Sequence, residues 1–209
     1  MIKKYLQKNI INRKLCICKN KLMQKINFGN LPLINNYKKK RNLIRYPVVI
    51  SQCKKCFLIQ LKYSVSDKLL FSNNYSYLSG NSREKIYNFE SILAKIKKLS
   101  KKRNPRILDI GSNDGSFLEL VKKEYPKVLG VEPTNTAKIS INKGIDTIQK
   151  PLNFKLAKKI VREYSKFDFI IATNLFAQSN NLNEILKSVK LILNTEGLLI
   201  VEVQYLYDL

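Results

Sequence analysis

Four cysteines, Cys16, Cys18, Cys53 and Cys56, are the only ones in the chain, and all lie in its first 56 residues. Two close pairs separated by a longer loop form the layout of a zinc site, in which four thiolates surround one tetrahedral ion. The second pair, Cys53-Lys54-Lys55-Cys56, has the C-x-x-C spacing that lets two sulfurs reach one metal while the backbone amides of the turn point at them. Lys54 and Lys55 also offset the thiolate charge. The first pair, Cys16-Ile17-Cys18, is one residue tighter. The 209 residues include no His, so Cys is the only good soft ligand available. Two competing readings are disulfides and a redox C-x-x-C. A cytosolic setting disfavours the first. The second belongs at a strand-to-helix turn of a βαβ unit, whereas here the motif lies between apolar runs at 46–50 and 57–59. A strand, a knuckle and a returning strand are expected there. A closed four-sulfur shell has no open position, so the metal is expected to be structural.

The second constellation is Asp109-Ile110-Gly111-Ser112-Asn113-Asp114-Gly115, followed 23 residues after Asp109 by Glu132 and then Pro133. A strand that runs into a Gly-containing turn and then a helix is where open α/β sheets bind nucleotide-like cofactors. A carboxylate at the end of the next strand can accept both ribose hydroxyls. A dinucleotide site calls for G-x-G-x-x-G and a helix N-terminus open to pyrophosphate. This loop carries acids instead, Asp109 and Asp114, which repel phosphate and suit a ligand bearing an ammonium and a sulfonium. S-adenosylmethionine (SAM) is therefore preferred over NAD(P).

Both constellations need a scaffold, and the hydrophobic pattern supplies it. Ile86, Phe89, Ile92, Leu93, Ile96 and Leu99 repeat at helical spacing and make one apolar stripe with Lys opposite. From there strands and helices alternate. Strands are expected at 106–110, 128–131, 145–148, 167–172 and 198–203, and helices at 117–124, 136–143, 154–164 and 182–193, with a turn at Glu196-Gly197 before the last strand. This alternation means βαβ units, a parallel sheet and helices on both faces. The stretch at 70–80, rich in Ser, Asn, Gly and Tyr, reads as loop. On residue types alone, Tyr75 and Tyr77 are aromatics packed at a domain junction.

Composition excludes some classes. Hydrophobic residues make up 44% and charged residues 26%, which is ordinary for a globular chain. No apolar run approaches the roughly 18 residues needed to cross a bilayer. The basic start at 1–8 lacks the apolar core of a secretory signal. No membrane association is expected, and a cytoplasmic location is. Thirty-nine Lys and Arg against fifteen Asp and Glu give a net charge of +24. The lysines run from Lys3 to Lys190 alongside abundant Asn and Ile, as A- and T-rich codons would produce, and the densest run is 37–41. Nucleic acid is disfavoured as a partner because a real footprint clusters on one face.

In order along the chain, these motifs resemble the sugar C-methyltransferase family. They are Cys16/Cys18 with Cys53/Cys56, Leu70-Phe71, Tyr75-Ser76-Tyr77-Leu78-Ser79-Gly80, and Ile107 through Gly115. Gly130-Val131-Glu132-Pro133, Ala172-Thr173-Asn174-Leu175-Phe176-Ala177 and Val201-Glu202-Val203-Gln204-Tyr205-Leu206 follow. The resemblance covers nearly the whole chain. It implies an α/β fold, a Rossmann-like class I methyltransferase parallel sheet preceded by a small zinc-binding, β-rich module. It implies a SAM-dependent enzyme that methylates a carbon of a nucleotide-linked keto-deoxysugar. A keto group acidifies the neighbouring C–H, an enzyme base removes the proton, and the carbon attacks the methyl group. Asp109, Gly111, Ser112, Asn113, Asp114, Gly115, Glu132, Pro133 and Asn174 would hold SAM. Tyr75, Tyr77 and Gln178 become active-site neighbours.

The chain departs from the family pattern in two places. The family block usually places a His after the Ala that matches Ala177, and here Gln178 stands there. The family's His-Glu-His segment lies beyond the stretch that matches 206–209. The expected division is therefore a zinc-binding module at 1–69, a Tyr-rich loop and connecting helix at 70–103, and an incomplete SAM domain of about five strands at 104–209. On this reading the chain is an N-terminal piece, inactive alone, whose substrate domain a partner chain could carry, and its last strand is left partly uncovered. Two alternatives stay open: a nucleic-acid methyltransferase with a zinc module, and a non-catalytic zinc-binding protein with a decayed cofactor fold.

Overall fold

The computed structural model describes residues 9–33, 43–71 and 75–204, which belong to two compact units, Met1–Ser72 and Asn73–Leu209. The basic run at 37–41, the N-terminal residues 1–8, residues 72–74 of the Tyr-rich stretch and the last block beyond 204 lie outside the described residues.

The first unit is built on antiparallel pairing. Strand β1 (Ile10–Asn12) pairs with β5 (Tyr63–Val65), while β2 (Leu22–Pro32), β3 (Arg45–Cys53) and β4 (Ile59–Leu61) form a three-stranded sheet with β3 in the middle. One helical turn, α1 (Asp67–Leu70), follows β5. The expected strand at 46–50 is the centre of β3. The returning strand starts at Ile59 rather than at residue 57, because Phe57 takes a left-handed φ of 60° in the turn and Cys53 N–H donates to the Leu58 carbonyl.

The second unit begins with a 3-10 turn (Ser79–Asn81) and α2 (Arg83–Leu99). Ser82 caps this helix by accepting the Lys85 N–H, one of the donors a helix start leaves without an internal partner. The stripe foreseen for it buries Phe89, Ile92, Leu93 and Ile96, and only Leu99, in the last turn, is exposed. Then come β6 (Ile107–Ile110), α3 (Ser116–Lys122), β7 (Val128–Val131), α4 (Ala137–Asn142) and β8 (Thr147–Ile148). The order closes with α5 (Phe154–Tyr164), β9 (Phe167–Thr173), a 3-10 turn (Phe176–Gln178), α6 (Leu182–Ile192) and β10 (Leu193–Glu202).

The five strands are all parallel, in the order β10-β9-β6-β7-β8. Successive strand residues point to opposite faces, so β6 sends Ile107 into one core with Phe89, Ile96 and Phe117, and Leu108 into another with Ile160, Ile170 and Ile192. The sheet is thus covered by helices on both sides. The chain moves outward from β6 through β7 to β8, then returns to lay β9 on the other flank of β6. That reversal puts a topological switch point between β6 and β9, where such sheets open a crevice beyond the carboxyl ends of the strands.

The region before the last strand differs from expectation. Helix α6 passes directly into β10 at Leu193, and Glu196-Gly197 lies in a pairing irregularity between Leu193↔Phe167 and Leu198↔Phe169. The ladder resumes at Leu198, so the foreseen turn is a bulge within one strand. Among the described residues β10 forms an edge of the sheet, and Leu198 and Val201 are exposed.

Candidate functional site

Each cysteine pair sits on a knuckle closed by backbone hydrogen bonds. In the first, Cys16 N–H donates to Asn20 and Lys19 N–H donates to Cys16, with Lys19 at φ 66°. In the second, the N–H groups of Lys55 and Cys56 point at Cys53 Sγ at 3.3 and 3.5 Å. The β2–β3 ladder, which pairs Leu22 with Cys53, brings the knuckles together. All four sulfurs lie within 4.8 Å of one another. Cys16 Sγ is 3.6 Å from Cys56 Sγ, and Cys18 Sγ is 3.5 Å from Cys53 Sγ. A disulfide requires about 2.05 Å, whereas four sulfurs at about 2.3 Å from a tetrahedral zinc stand about 3.8 Å apart. The spacing fits one shared ion and not two disulfides. The Asn20 backbone N–H draws the Cys18 thiol down to about 6, and burial pushes Cys16 up to about 12. A bound zinc ion holds coordinating thiols deprotonated outright.

The second site occupies the carboxyl ends of β6, β7 and β9. Gly111, at φ 78°, turns the chain out of β6, and Gly115, at φ 76°, starts α3. A Cβ on Gly111 would meet only Leu175, at 3.7 Å, whereas one on Gly115 would fall 2.3 Å from Ser140 Oγ and 3.1 Å from the Ser140 backbone. Gly115 therefore serves helix packing, and Gly111 leaves the turn bare toward the loop after β9.

Two buried carboxyl groups stand at the ends of β6 and β7. Asp109 is buried, and its Oδ1 has no hydrogen-bond partner. Burial, and next the charge of Glu132, push its pKa up to about 8, with Lys85 acting the other way. Glu132 is also buried; its two oxygens accept the N–H groups of Asn113 and Thr134 at 3.0 and 2.8 Å. Ser112 Oγ is a second buried polar atom without a partner. Pro133, half-buried, follows Glu132 out of β7. A pyrophosphate would meet two carboxyls here. A cationic ligand with hydroxyl groups would find a latent anion, a ribose acceptor and a free hydroxyl, so the residues fit SAM.

The side chains of Asn113 and Asp114 turn elsewhere, toward residues 75–80. Asn113 accepts from the Ser79 N–H at 3.0 Å and donates to the Tyr77 carbonyl at 3.1 Å. Asp114 accepts from Ser79 Oγ at 2.9 Å and from the Gly80 N–H at 3.2 Å. Tyr75 N–H donates to Asn135 Oδ1 at 3.0 Å. The Tyr75 pKa is raised by burial and then by the charge of Glu132. Tyr77 is exposed, as is Gln178 on its 3-10 turn. Asn174, at φ 55°, ends β9; its backbone N–H donates to the Glu202 carbonyl and its side chain lies 3.4 Å from the Glu202 carboxylate. Glu202 also accepts from Lys85 Nζ at 2.8 Å and from Asn88 Nδ2. Sequence reasoning assigned no role to Ser79, Gly80, Asn135, Lys85 or Glu202. The Ser-Gly step at 79–80 was the one local signal, and the other contacts join residues far apart in the chain.

A parallel sheet with this switch point, and buried carboxyl groups at the ends of β6 and β7 in place of a phosphate-binding glycine loop, defines a Rossmann-like fold of the class I methyltransferase type. The chain belongs to the methyltransferase domain family, whose model matches residues 84–208. A zinc binding domain model matches residues 16–71, which contain all four cysteines. The chain is 25% identical over 190 residues to the C-methyltransferase NovU of Streptomyces niveus, a match that covers 88% of this chain and 45% of that protein. The chain thus spans less than half the length of this curated relative. Among solved structures, the plantazolicin methyltransferase BpumL in complex with SAH is similar in fold, at 19% identity and a TM-score of 0.50, over 65% of this chain and 55% of that one. The amino pentose methyltransferase CalS10 of Micromonospora echinaspora gives 15% identity and a TM-score of 0.47 over 58% of this chain and 52% of that one.

Proposed function

We propose that this chain carries the zinc-binding and cofactor-binding parts of a SAM-dependent C-methyltransferase whose acceptor is a keto-deoxysugar linked to a nucleotide. The observation that carries the cofactor half is the pair Asp109 and Glu132, buried at the ends of neighbouring strands, one with a carboxyl oxygen that no protein donor reaches. SAM supplies an electrophilic methyl group on a sulfonium. Asp109 would hold the ammonium group and Glu132 the ribose hydroxyls. The bare turn at Gly111 and Ser112, the backbone of residues 113–115, Pro133 and Asn174 would line the remainder. The half-buried Tyr75, whose phenol senses the charge of Glu132, and Tyr77 stand where an acceptor would approach. Holding donor and acceptor in line is the main contribution such a site makes to rate.

The sugar acceptor rests on the ordered run of motifs from the cysteine pairs to the block at 201–206, and on the likeness to a C-methyltransferase. The same reading divides the chain into a metal module at 1–69, a connector at 70–103 and a cofactor domain at 104–209. It places the reduced thiols in the cytoplasm. No helix among the described residues is long and apolar enough to cross a membrane.

Titration calorimetry of the zinc-loaded chain with SAM, with NADH as the control ligand, tests the cofactor half. Saturable SAM binding that is lost in Asp109→Ala and in Glu132→Ala is the expected outcome. Binding of NADH instead would overturn it. For the acceptor, mass spectrometry of a nucleoside-diphosphate-linked keto-deoxysugar incubated with the protein and SAM should find one added methyl on carbon. Methylation of RNA in the same assay, with the sugar untouched, would move the protein to the nucleic-acid class.

A further inference from the structure

The side chains of Asn113 and Asp114 point away from the strand ends and into the segment 75–80, and that segment is tied at both ends to the loops that carry the cofactor residues. At one end Tyr75 N–H is held by Asn135, three residues beyond Glu132. At the other, Ser79 and Gly80 are held by Asn113 and Asp114 through four hydrogen bonds between 2.9 and 3.4 Å. Asp114 is buried, and its Oδ1 also accepts from the Ser116 N–H at 3.3 Å, so its oxygens are committed within the protein. Gly80 lies so close that a Cβ there would come 2.3 Å from Ser116 Oγ and 2.8 Å from Asp114 Oδ2. Asn113 sits at φ 50°, a conformation Asn tolerates better than most residues, and this lets its backbone and side chain face different ways. Its N–H donates to Glu132 Oε2 at 3.0 Å while its carboxamide grips Ser79 and Tyr77.

We infer that Asn113, Asp114 and Asn135 are positioning residues that lash the segment 75–80 across the two cofactor loops, so that occupancy of the Glu132 side of the crevice fixes Tyr75 and Tyr77 for the acceptor. Asn113 is the mechanical link, since one residue bonds the ribose-side carboxylate through its backbone and the tyrosine strap through its side chain. A ligand that engages Glu132 stiffens the loop 111–115, and the strap stiffens with it. By linkage, a strap held in place favours the ligand by the same factor. Cofactor occupancy then steadies an acceptor wall that is already tied in place, which favours binding of the cofactor before the acceptor. This inference rests on the proposed cofactor site for its ligand-coupled part and on geometry alone for the clamp.

Amide hydrogen exchange of the zinc-loaded chain, with and without SAH, separates the two parts. Without ligand, Asp114→Ala should speed exchange at Gly80, whose N–H donates to Asp114, by about tenfold, the size expected when such a hydrogen bond is lost, while amides in Ile107–Ile110 keep their protection. Ser79→Ala should act in the same direction, and the double variant should lose less than the sum of the two single ones, because both break the Ser79 Oγ–Asp114 bond. With SAH, wild type should gain protection across 75–80, and Asn113→Ala should lose that gain, with its SAH affinity falling by the same factor as the lost protection. A large fall in SAH affinity in Asp114→Asn with unchanged strap exchange would make Asp114 a cofactor ligand and overturn the inference. So would SAH binding that leaves the strap's exchange unaltered. If wild type binds no SAH, the cofactor reading fails instead, and the ligand-free arm still decides whether the clamp exists.

Discussion

Asp109 and Glu132 stand at the carboxyl ends of the adjacent strands β6 and β7, and the charge of Glu132 adds to burial in raising the Asp109 pKa to about 8. The folded chain therefore keeps the Asp109 proton to about pH 8, whereas an unfolded chain releases it near the ordinary value of 3.8. The folded state binds more protons across that window, so this group's contribution to stability is full below about pH 4 and is lost as pH rises toward about 8. Urea unfolding at several pH values should show wild type weakening over that range by at least about 1 kcal/mol relative to Asp109→Asn. Parallel profiles for the two proteins would mean that Asp109 is ionised in the ligand-free fold.

A cation bound beside Asp109 reverses its preference. SAM binding at about pH 7 should release up to about one proton, because the ammonium group draws the carboxyl back toward its ordinary range. Calorimetry in two buffers of different ionisation enthalpy measures this directly. Identical heats in both buffers would place the ammonium away from Asp109.

The sulfur cluster predicts a metal-dependent first unit. Purified chain should carry about one zinc, and Cys53→Ser should lose it, since Cys53 would supply one of the four sulfurs and is itself the ladder partner of Leu22. Chelation should collapse the nuclear magnetic resonance dispersion of β2 and β3 and leave that of β6–β9 in place. Retention of the β2–β3 signals after zinc removal would mean that this sheet folds without the ion.

The parallel sheet was legible because its inner strands are short apolar runs buried on both faces. Ile107–Ile110 and Val128–Val131 are wholly buried, and Asn153 and Asn181 sit one residue before the apolar helices they cap. The cysteine spacing implied the zinc site for a similar reason: ligands of one ion must cluster. Strand β2 was not legible. Most of its residues are exposed, Gly29 and Pro32 lie inside it, and two pairing irregularities break the alternation that marks a strand. The Glu196-Gly197 step read as a turn because Gly there signals a break, and only the ladder resuming at Leu198 reveals a bulge. The strap was invisible for a deeper reason. Ser79 and Asp114 are 35 residues apart, and no local pattern says that two polar loops will meet.

Gly115 and Gly144 have nearly the same left-handed φ, 76° and 75°, but different surroundings. A Cβ on Gly144 meets nothing within 4 Å, so Gly144→Ala should cost only the conformational term, about 1 kcal/mol. A Cβ on Gly115 runs into the Ser140 side chain and backbone, so Gly115→Ala adds overpacking and should cost about 3 kcal/mol in total. Equal losses in thermal unfolding would show that α4 moves aside freely.

Glu202 on the edge strand gathers Lys85 and Asn88 from α2 and Asn174 from the end of β9. Burial raises its pKa, but the hydrogen bonds from Lys85 and Asn88 outweigh that and hold it below the usual 4.5. Its folded form binds fewer protons, so its contribution is present above about pH 4.5 and fades as pH falls, opposite in sign to that of Asp109. Removing it in Glu202→Ala should cost about 1 kcal/mol at neutral pH, and less in acid. Lys85→Ala breaks the same ion pair but also withdraws the positive charge that restrains Asp109. The two variants should thus lose similar stability, while only Lys85→Ala moves the Asp109 titration, followed by carbon-13 shifts, to higher pH. An unmoved Asp109 midpoint in Lys85→Ala would show that the lysine charge does not reach the crevice, and that its role ends at the Glu202 carboxylate.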